Sequence, residues 1–179
     1  MDRDGVINRA IVRNGRPYPP QALVDLEILP GVVDACLAFR AAGLRVIVIT
    51  NQPDVSTGKQ DRAVVDAIHA RLMHDLALDG IKVCFCAEGD GCDCYKPKPG
   101  MLLEAAREWS IDLEQSFLVG DRWRDIGAGL AVGCTTYFID YGYDERRPDQ
   151  PYHVVDDLAQ ASLLILKAIS LQQPNRKES

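Results

Sequence analysis

LRVIVITNQ, residues 44–52, decides how the rest of the chain is read. Residues 44–50 form a short run dominated by β-branched side chains, the pattern of a strand buried in a parallel sheet. The run then delivers three polar residues, Thr50, Asn51 and Gln52. IKVCFC (81–86), SFLVG (116–120) and TTYFI (135–139) read as strands of the same kind. Amphipathic stretches lie between them. PGVVDACLAFRAAG (30–43) opens on proline and stops at glycine, the punctuation of a helix. Residues 61–78, 100–109, 123–133 and 156–171 carry helical periodicity as well. Strand and helix in alternation predict an α/β fold, a Rossmann-like parallel sheet flanked by helices.

Composition narrows the function. The chain has 179 residues, is 47% hydrophobic and carries a formal net charge of -6. That length supports one domain with a sizeable core, expected over 1–171, and a polar disordered tail at 172–179. An acidic chain is poorly suited to nucleic acid or an anionic membrane. There is no apolar run long enough to span a bilayer and no signal-peptide pattern, so a cytoplasmic protein is expected, and with no marked exposed interface a monomer.

In a parallel sheet the ligand site lies at the carboxyl ends of the strands. Thr50-Asn51-Gln52 follows one strand, Tyr95-Lys96 lies beyond the next, and Asp121-Arg122 follows the third. Asp2 and Asp4 stand at the start of the chain. Two carboxylates, a hydroxyl, a lysine and a further aspartate are the groups phosphoryl transfer needs. One carboxylate attacks phosphorus, the second protonates the leaving oxygen, and lysine and hydroxyl stabilise the transferring oxygens. Taken singly, each residue is equally at home in a turn, a cap or a solvated loop.

DRDGV (2–6), the strand ending in Thr50-Asn51, KPKPG (96–100) and GDRWRD (120–125) occur in the order of the four motifs of haloacid dehalogenase-type phosphatases. The chain resembles that family from residue 2 to about 170. It is most similar to the branch without a large cap domain, which includes heptose 1,7-bisphosphate phosphatases and histidinol-phosphate phosphatases. The resemblance implies that Asp2 is the nucleophile and forms an aspartyl phosphate, and that Asp4 is the acid and base. Thr50 and Lys96 would bind the phosphoryl group. Asp2, the Asp4 carbonyl and Asp121 would bind Mg²⁺, with Asp125 supporting them. Asn51, Gln52, Tyr95 and Arg122 would contact a small phosphorylated metabolite. The leading substrate is D-glycero-D-manno-heptose 1,7-bisphosphate, cleaved at position 7; the alternative is histidinol phosphate or another small sugar phosphate. Where relatives often have arginine before the motif lysine, this chain has Tyr95, and Pro53-Asp54 replaces a common Ser-Gly. Arg124, Lys98, Lys59 and the Arg13–Arg16 stretch are candidates to compensate. Residues 8–30 would supply a short substrate-contacting loop.

Four of the six cysteines, Cys84, Cys86, Cys92 and Cys94, crowd into eleven residues. Two C-x-C pairs can close tetrahedrally around zinc, and from spacing alone a disulfide or free thiols remain open. The resemblance implies a structural Zn²⁺ that holds Tyr95 and Lys96 over the site. Cys36 and Cys134 read as core residues, and His69, His74 and His153 adjoin no motif.

In this family the nucleophile follows an apolar strand, whereas only Met1 precedes Asp2. The first strand of the sheet is therefore expected to be missing, the nucleophile loosely anchored, and the natural start to lie further upstream. A third reading arises from this, that of a family fold with an impaired site.

Overall fold

The computed structural model describes residues 1–172; of the expected tail, 173–179 lie outside the described residues, and Gln172 ends the last helix. The strands are β1 (Ile11–Arg13), β2 (Arg16–Tyr18), β3 (Ile47–Asn51), β4 (Gly80–Cys84), β5 (Phe117–Gly120), β6 (Thr135–Ile139) and β7 (His153–Val155). The helices are α1 (Val32–Ala41), α2 (Arg62–Asp75), α3 (Gly100–Trp109), α4 (Trp123–Leu130) and α5 (Leu158–Gln172). β3 pairs in parallel with β4, and β5, β6 and β7 form a second parallel set.

Alternation along the strands explains the two faces. Val48 and Val119 join Tyr137, Ile139, Phe39, Ile68, Leu158 and Ile165 on one side, under α1, α2 and α5. Ile49 and Leu118 point the other way, to Met101, Leu102 and Ala128 of α3 and α4. Successive strand residues face opposite layers, so an uninterrupted apolar run is what such a sheet requires. Helix ends follow local chemistry. Asp61 caps α2 by accepting from the Ala63 N–H at 2.8 Å, and Gly43, at φ +79°, takes the chain out of α1.

The stretch at 8–30 contains a hairpin not anticipated from the sequence. Ile11 pairs with Tyr18 and Arg13 with Arg16, and the turn is Asn14-Gly15 with both residues at positive φ. That is the geometry a tight hairpin prefers.

The two parallel sets are separated by one lane. Met1 and Asp2 enter it. The Met1 amino group donates to Ile47 O at 2.9 Å, Ile49 N donates to Met1 O at 2.9 Å, and Asp2 N donates to Val119 O at 2.9 Å. Two strands bridged in this way stand about 10 Å apart, the width of one missing strand. Below Met1 the lane is a cavity of about 290 Å³ lined by apolar side chains including Phe39, Leu102, Trp109, Phe117 and Ile165. Contrary to the expectation from the sequence, Asp2 is not loose, since its backbone is fixed to β5.

An engineered extension tests the lane. Five apolar β-branched residues placed directly before Met1 should raise the melting temperature by about 4 °C or more. A glycine-serine extension of the same length should not. Equal melting temperatures for the two would show that the lane takes no strand.

Candidate active site

The carboxyl ends of β3 and β5, the segment before α3 and the start of α4 converge on Asp2. Lys96 is the hub. Its Nζ donates to Asp2 Oδ1 at 2.7 Å and to Ile49 O at 2.9 Å, and it lies 2.6 Å from Asp125 Oδ1. Lys96, Asp2, Asp121 and Asp125 are all buried. Asp125 reaches the hub because Asp121-Arg122 turns directly into α4, whose first turn brings Asp125 back to accept from Arg122 N at 3.0 Å. Gly5 takes φ +83°, and any Cβ there would collide with Asp121, so glycine is required where the chain crosses that carboxylate.

Carboxylate charge exceeds lysine charge here. Burial first, then the carboxylate of Asp125, pushes the pKa of Asp2 up to about 6, against the pull of Lys96. Asp121 is pushed well above the carboxylate range by burial and then by Asp2 and Asp125. Burial alone would lower Lys96; Asp125 and Asp2 outweigh it and hold the ammonium above its usual value. Both carboxylate oxygens of Asp121 are buried without a hydrogen-bond partner. Asp2, Asp121 and Asp125 each offer an oxygen to one point, all within 4.8 Å of one another. The two unpaired buried oxygens of Asp121, with carboxylate oxygens of Asp2 and Asp125 beside them, call for a cation, and the all-oxygen set suits a hard divalent one.

Asp4 belongs to a different network. It accepts from Arg3 Nη2 at 2.9 Å, from Asn8 Nδ2 at 2.9 Å and from Gln52 Nε2 at 2.9 Å. Burial acts to raise its pKa, but the Arg3 guanidinium and these hydrogen bonds more than offset it, and the net direction is down. Arg3 is fully buried, and its Nη1 lies 2.9 Å from His69 Nε2 on α2. Neither Arg3 nor His69 was singled out from the sequence. Arg3 stood between the two carboxylates and was there to be noticed; His69 is 66 residues away and carries no local signal.

Of the expected substrate contacts, Asn51 and Gln52 turn their amides inward. Asn51 accepts from Lys96 N at 3.1 Å and donates to Lys96 O at 3.2 Å, bracing the lysine's backbone. Gln52 donates to Asp4 and to Thr50 Oγ1, the latter at 2.9 Å. Thr50 is buried beside them. Tyr95 and Arg122 line a pocket of about 300 Å³ above Asp2, together with Tyr18, Pro19, Arg16 and Arg124. The segment at 8–30 thus reaches the pocket through β2 and Pro19. Lys98 does not line this pocket; it donates to Cys92 O at 2.8 Å and ties down the cysteine loop.

The four clustered sulfurs lie within 4.8 Å of one another. Cys84 and Cys94 are joined as a disulfide, while Cys86 and Cys92 are free thiols. Either closure, by a bond or by a shared metal, folds the loop against α3, where Gly100 N donates to Asp93 O at 2.9 Å. Lys96 comes two residues after Cys94, so the loop sets where it begins. Cys36 and Cys134 are buried in the two cores as expected.

A carboxylate beside a lysine, three carboxylates close enough to share a cation and a further carboxylate in a different electrostatic setting are the groups that phosphoryl transfer of the hydrolase type would use. Comparison with known proteins gives the same class. Residues 93–161 match the HAD-hydrolase-like family model. The chain is 37% identical over 171 residues to the D-glycero-beta-D-manno-heptose-1,7-bisphosphate 7-phosphatase of Pseudomonas putida, covering 89% of this chain and 93% of that one. It is 32% identical over 142 residues to the D-glycero-alpha-D-manno-heptose-1,7-bisphosphate 7-phosphatase of Campylobacter jejuni, covering 78% and 79%. Among solved structures it is similar to the D,D-heptose 1,7-bisphosphate phosphatase of B. bronchiseptica complexed with magnesium and phosphate. The TM-score is 0.79 at 29% identity, over 93% of this chain and 96% of that one. The chain belongs to the HAD-like hydrolase family and is a phosphatase. No described helix is long and apolar enough to cross a membrane.

The brace behind Asp4 has a pH signature. Burial, then the Arg3 charge, lowers the His69 pKa from 6.5 to about 4. A depressed folded-state pKa means that the unfolded chain takes up the proton first as pH falls. Stability is fully present above 6.5 and is lost as pH drops toward 4, by up to about 1.4 kcal/mol per pH unit. Urea denaturation at pH 7, 6 and 5 should show this loss, and His69→Gln should flatten it. An identical slope in the variant would mean that His69 titrates normally.

Proposed function

We propose that the chain hydrolyses the 7-phosphate of D-glycero-D-manno-heptose 1,7-bisphosphate. The observation that carries this reading is the Asp2–Lys96–Asp125 cluster at the floor of a pocket of sugar size, supported by relatives with that activity in their names. Asp2 attacks phosphorus and the sugar alkoxide leaves with a proton from Asp4. The aspartyl phosphate is then opened by a water that gives its proton back to Asp4. Lys96 and Thr50 hold the phosphoryl oxygens through the transfer. Asp2 and Asp121 would hold Mg²⁺, with the Asp4 carbonyl beside them and Asp125 at the same point. Bound there, the ion would offset the negative charge of carboxylates and phosphate.

Approach of an anionic phosphate opposes ionised Asp4 and favours the protonated form an acid needs. Arg3 works against this, and the balance between them sets the fraction of competent enzyme. Tyr95, Arg122 and the side chains of the hairpin would contact the sugar.

Phosphate release from the heptose bisphosphate, measured with Mg²⁺, should fall at least about a thousandfold in Asp2→Asn. Histidinol phosphate should be turned over far more slowly by the intact protein. A higher rate on histidinol phosphate, or no turnover of any sugar phosphate, would sink the heptose reading.

We further propose that Cys84, Cys86, Cys92 and Cys94 bind one structural Zn²⁺ in the reduced chain. Metal analysis of protein purified under reducing conditions should give one zinc per chain, lost in Cys86→Ser. The variant should also lose thermal stability, because metal binding and loop folding are coupled. Metal-free protein with two reactive thiols would assign the loop to the Cys84–Cys94 disulfide instead.

A further inference from the structure

Above the cluster at its floor, the pocket is walled by charges that cancel. Arg16, Arg122 and Arg124 face it, and so do Asp54, Glu88 and Glu145. Two of these arginines are already engaged. Arg122 Nε donates to Glu145 Oε2 at 3.0 Å, and its Nη2 donates to Oε1. Arg124 Nη2 donates to the two oxygens of Glu88 at 2.9 and 2.8 Å. The two glutamates differ in burial. The Glu88 side chain is 67% exposed, whereas that of Glu145 is only 15% exposed. A pair with one partner in water is readily exchanged; a half-buried two-point pair is not.

Two guanidinium N–H groups against two oxygens is also how arginine takes a phosphate. The fork of Arg122 is therefore filled by a carboxylate of the protein itself. A substrate whose second anionic group reaches Arg122 must displace Glu145, which then stays nearby as a like charge. A substrate with a hydroxyl in that place leaves the pair intact. Glu145 sits on the irregular segment between β6 and β7. It is held by its own N–H to Tyr143 O at 2.8 Å and by Asp144 N to Gly15 O at 2.8 Å, so its position is set jointly with the β1–β2 hairpin.

We propose that Glu145 is a specificity-determining residue, a resident carboxylate that competes with the second anionic group of the substrate for the guanidinium of Arg122. The proposal rests on the reading above in one respect, that the phosphate to be cleaved sits at Asp2. For a heptose bisphosphate, the competing group is the 1-phosphate.

The test is a binding ratio. Fructose 6-phosphate and fructose 1,6-bisphosphate are titrated calorimetrically, with Mg²⁺, into full-length protein carrying Asp2→Asn to prevent turnover. Adding Glu145→Gln should raise the preference for the bisphosphate by about tenfold or more, since a charged competitor is removed at nearly constant volume. With Arg122→Met also present, Glu145→Gln should change that preference by less than about twofold. A purely structural role would weaken both sugars alike and leave the ratio unmoved. If Glu145→Gln lowers the melting temperature too far, Glu145→Ser, which also lacks the charge, should shift the ratio in the same direction. An unchanged preference, an equal shift without Arg122, or no binding of either sugar overturns the proposal. Failure of the phosphatase site itself is read separately, as phosphate release that survives Asp2→Asn in the turnover assay.

Discussion

The ammonium of Lys96 is the interaction on which the structure depends. A buried cation is costly unless all its donors are used, and here three acceptors converge on it: Asp2, Asp125 and the carbonyl of Ile49. Those acceptors come from the lane between the sheet halves, from α4 and from β3. Lys96 thereby ties these three parts of the molecule together. Removing any one carboxylate would leave the others with a different charge balance, because breaking a buried pair costs more than the pair contributes. Architecture and chemistry share the same few atoms.

The two aspartates of the opening segment show how one short loop serves two tasks. They are two residues apart, and their surroundings push their pKa values in opposite directions. Asp2 faces other carboxylates and is pushed up; Asp4 faces Arg3 and the amide donors of Asn8 and Gln52 and is pulled down. Divergence of this kind separates roles between like groups. A divalent cation at Asp2, Asp121 and Asp125 would reverse the first shift by favouring the ionised form a nucleophile needs. Substrate at Asp4 would act on the second in the opposite sense. Under the proposed roles, each ligand would act against the shift of the residue it meets.

Much of this was legible in the sequence, and the reasons are physical. β3, β5 and β6 announced themselves because both faces of a parallel sheet are covered, which leaves uninterrupted apolar runs; β4, at the edge and partly exposed, follows the pattern less closely. Asp2, Thr50, Lys96 and Asp121 were legible because strand ends in such a sheet are where side chains meet. The hairpin at 11–18 carries an Asn14-Gly15 turn signal, but its three-residue strands are too short to show a period. Strand β7 escapes notice for the same reason, and His153, read as adjoining no motif, lies in it and stacks on Tyr137. The partners of Arg3, Arg122 and Arg124 were invisible for another reason. Contacts between segments 23 to 66 residues apart leave no periodic trace; only the folded chain puts them together.

These long-range contacts also set distances at the site. Phosphoryl transfer needs its groups placed to within about half an ångström. Met1 and Asp2 join β3 to β5 through three backbone hydrogen bonds, and Lys96 grips Ile49 O on one side and Asp2 and Asp125 on the other. The ammonium that offsets the carboxylate charge therefore also holds the end of β3 against the start of α4. Cation binding at Asp2, Asp121 and Asp125 would then act twice, once on charge and once on the placement of the groups around it.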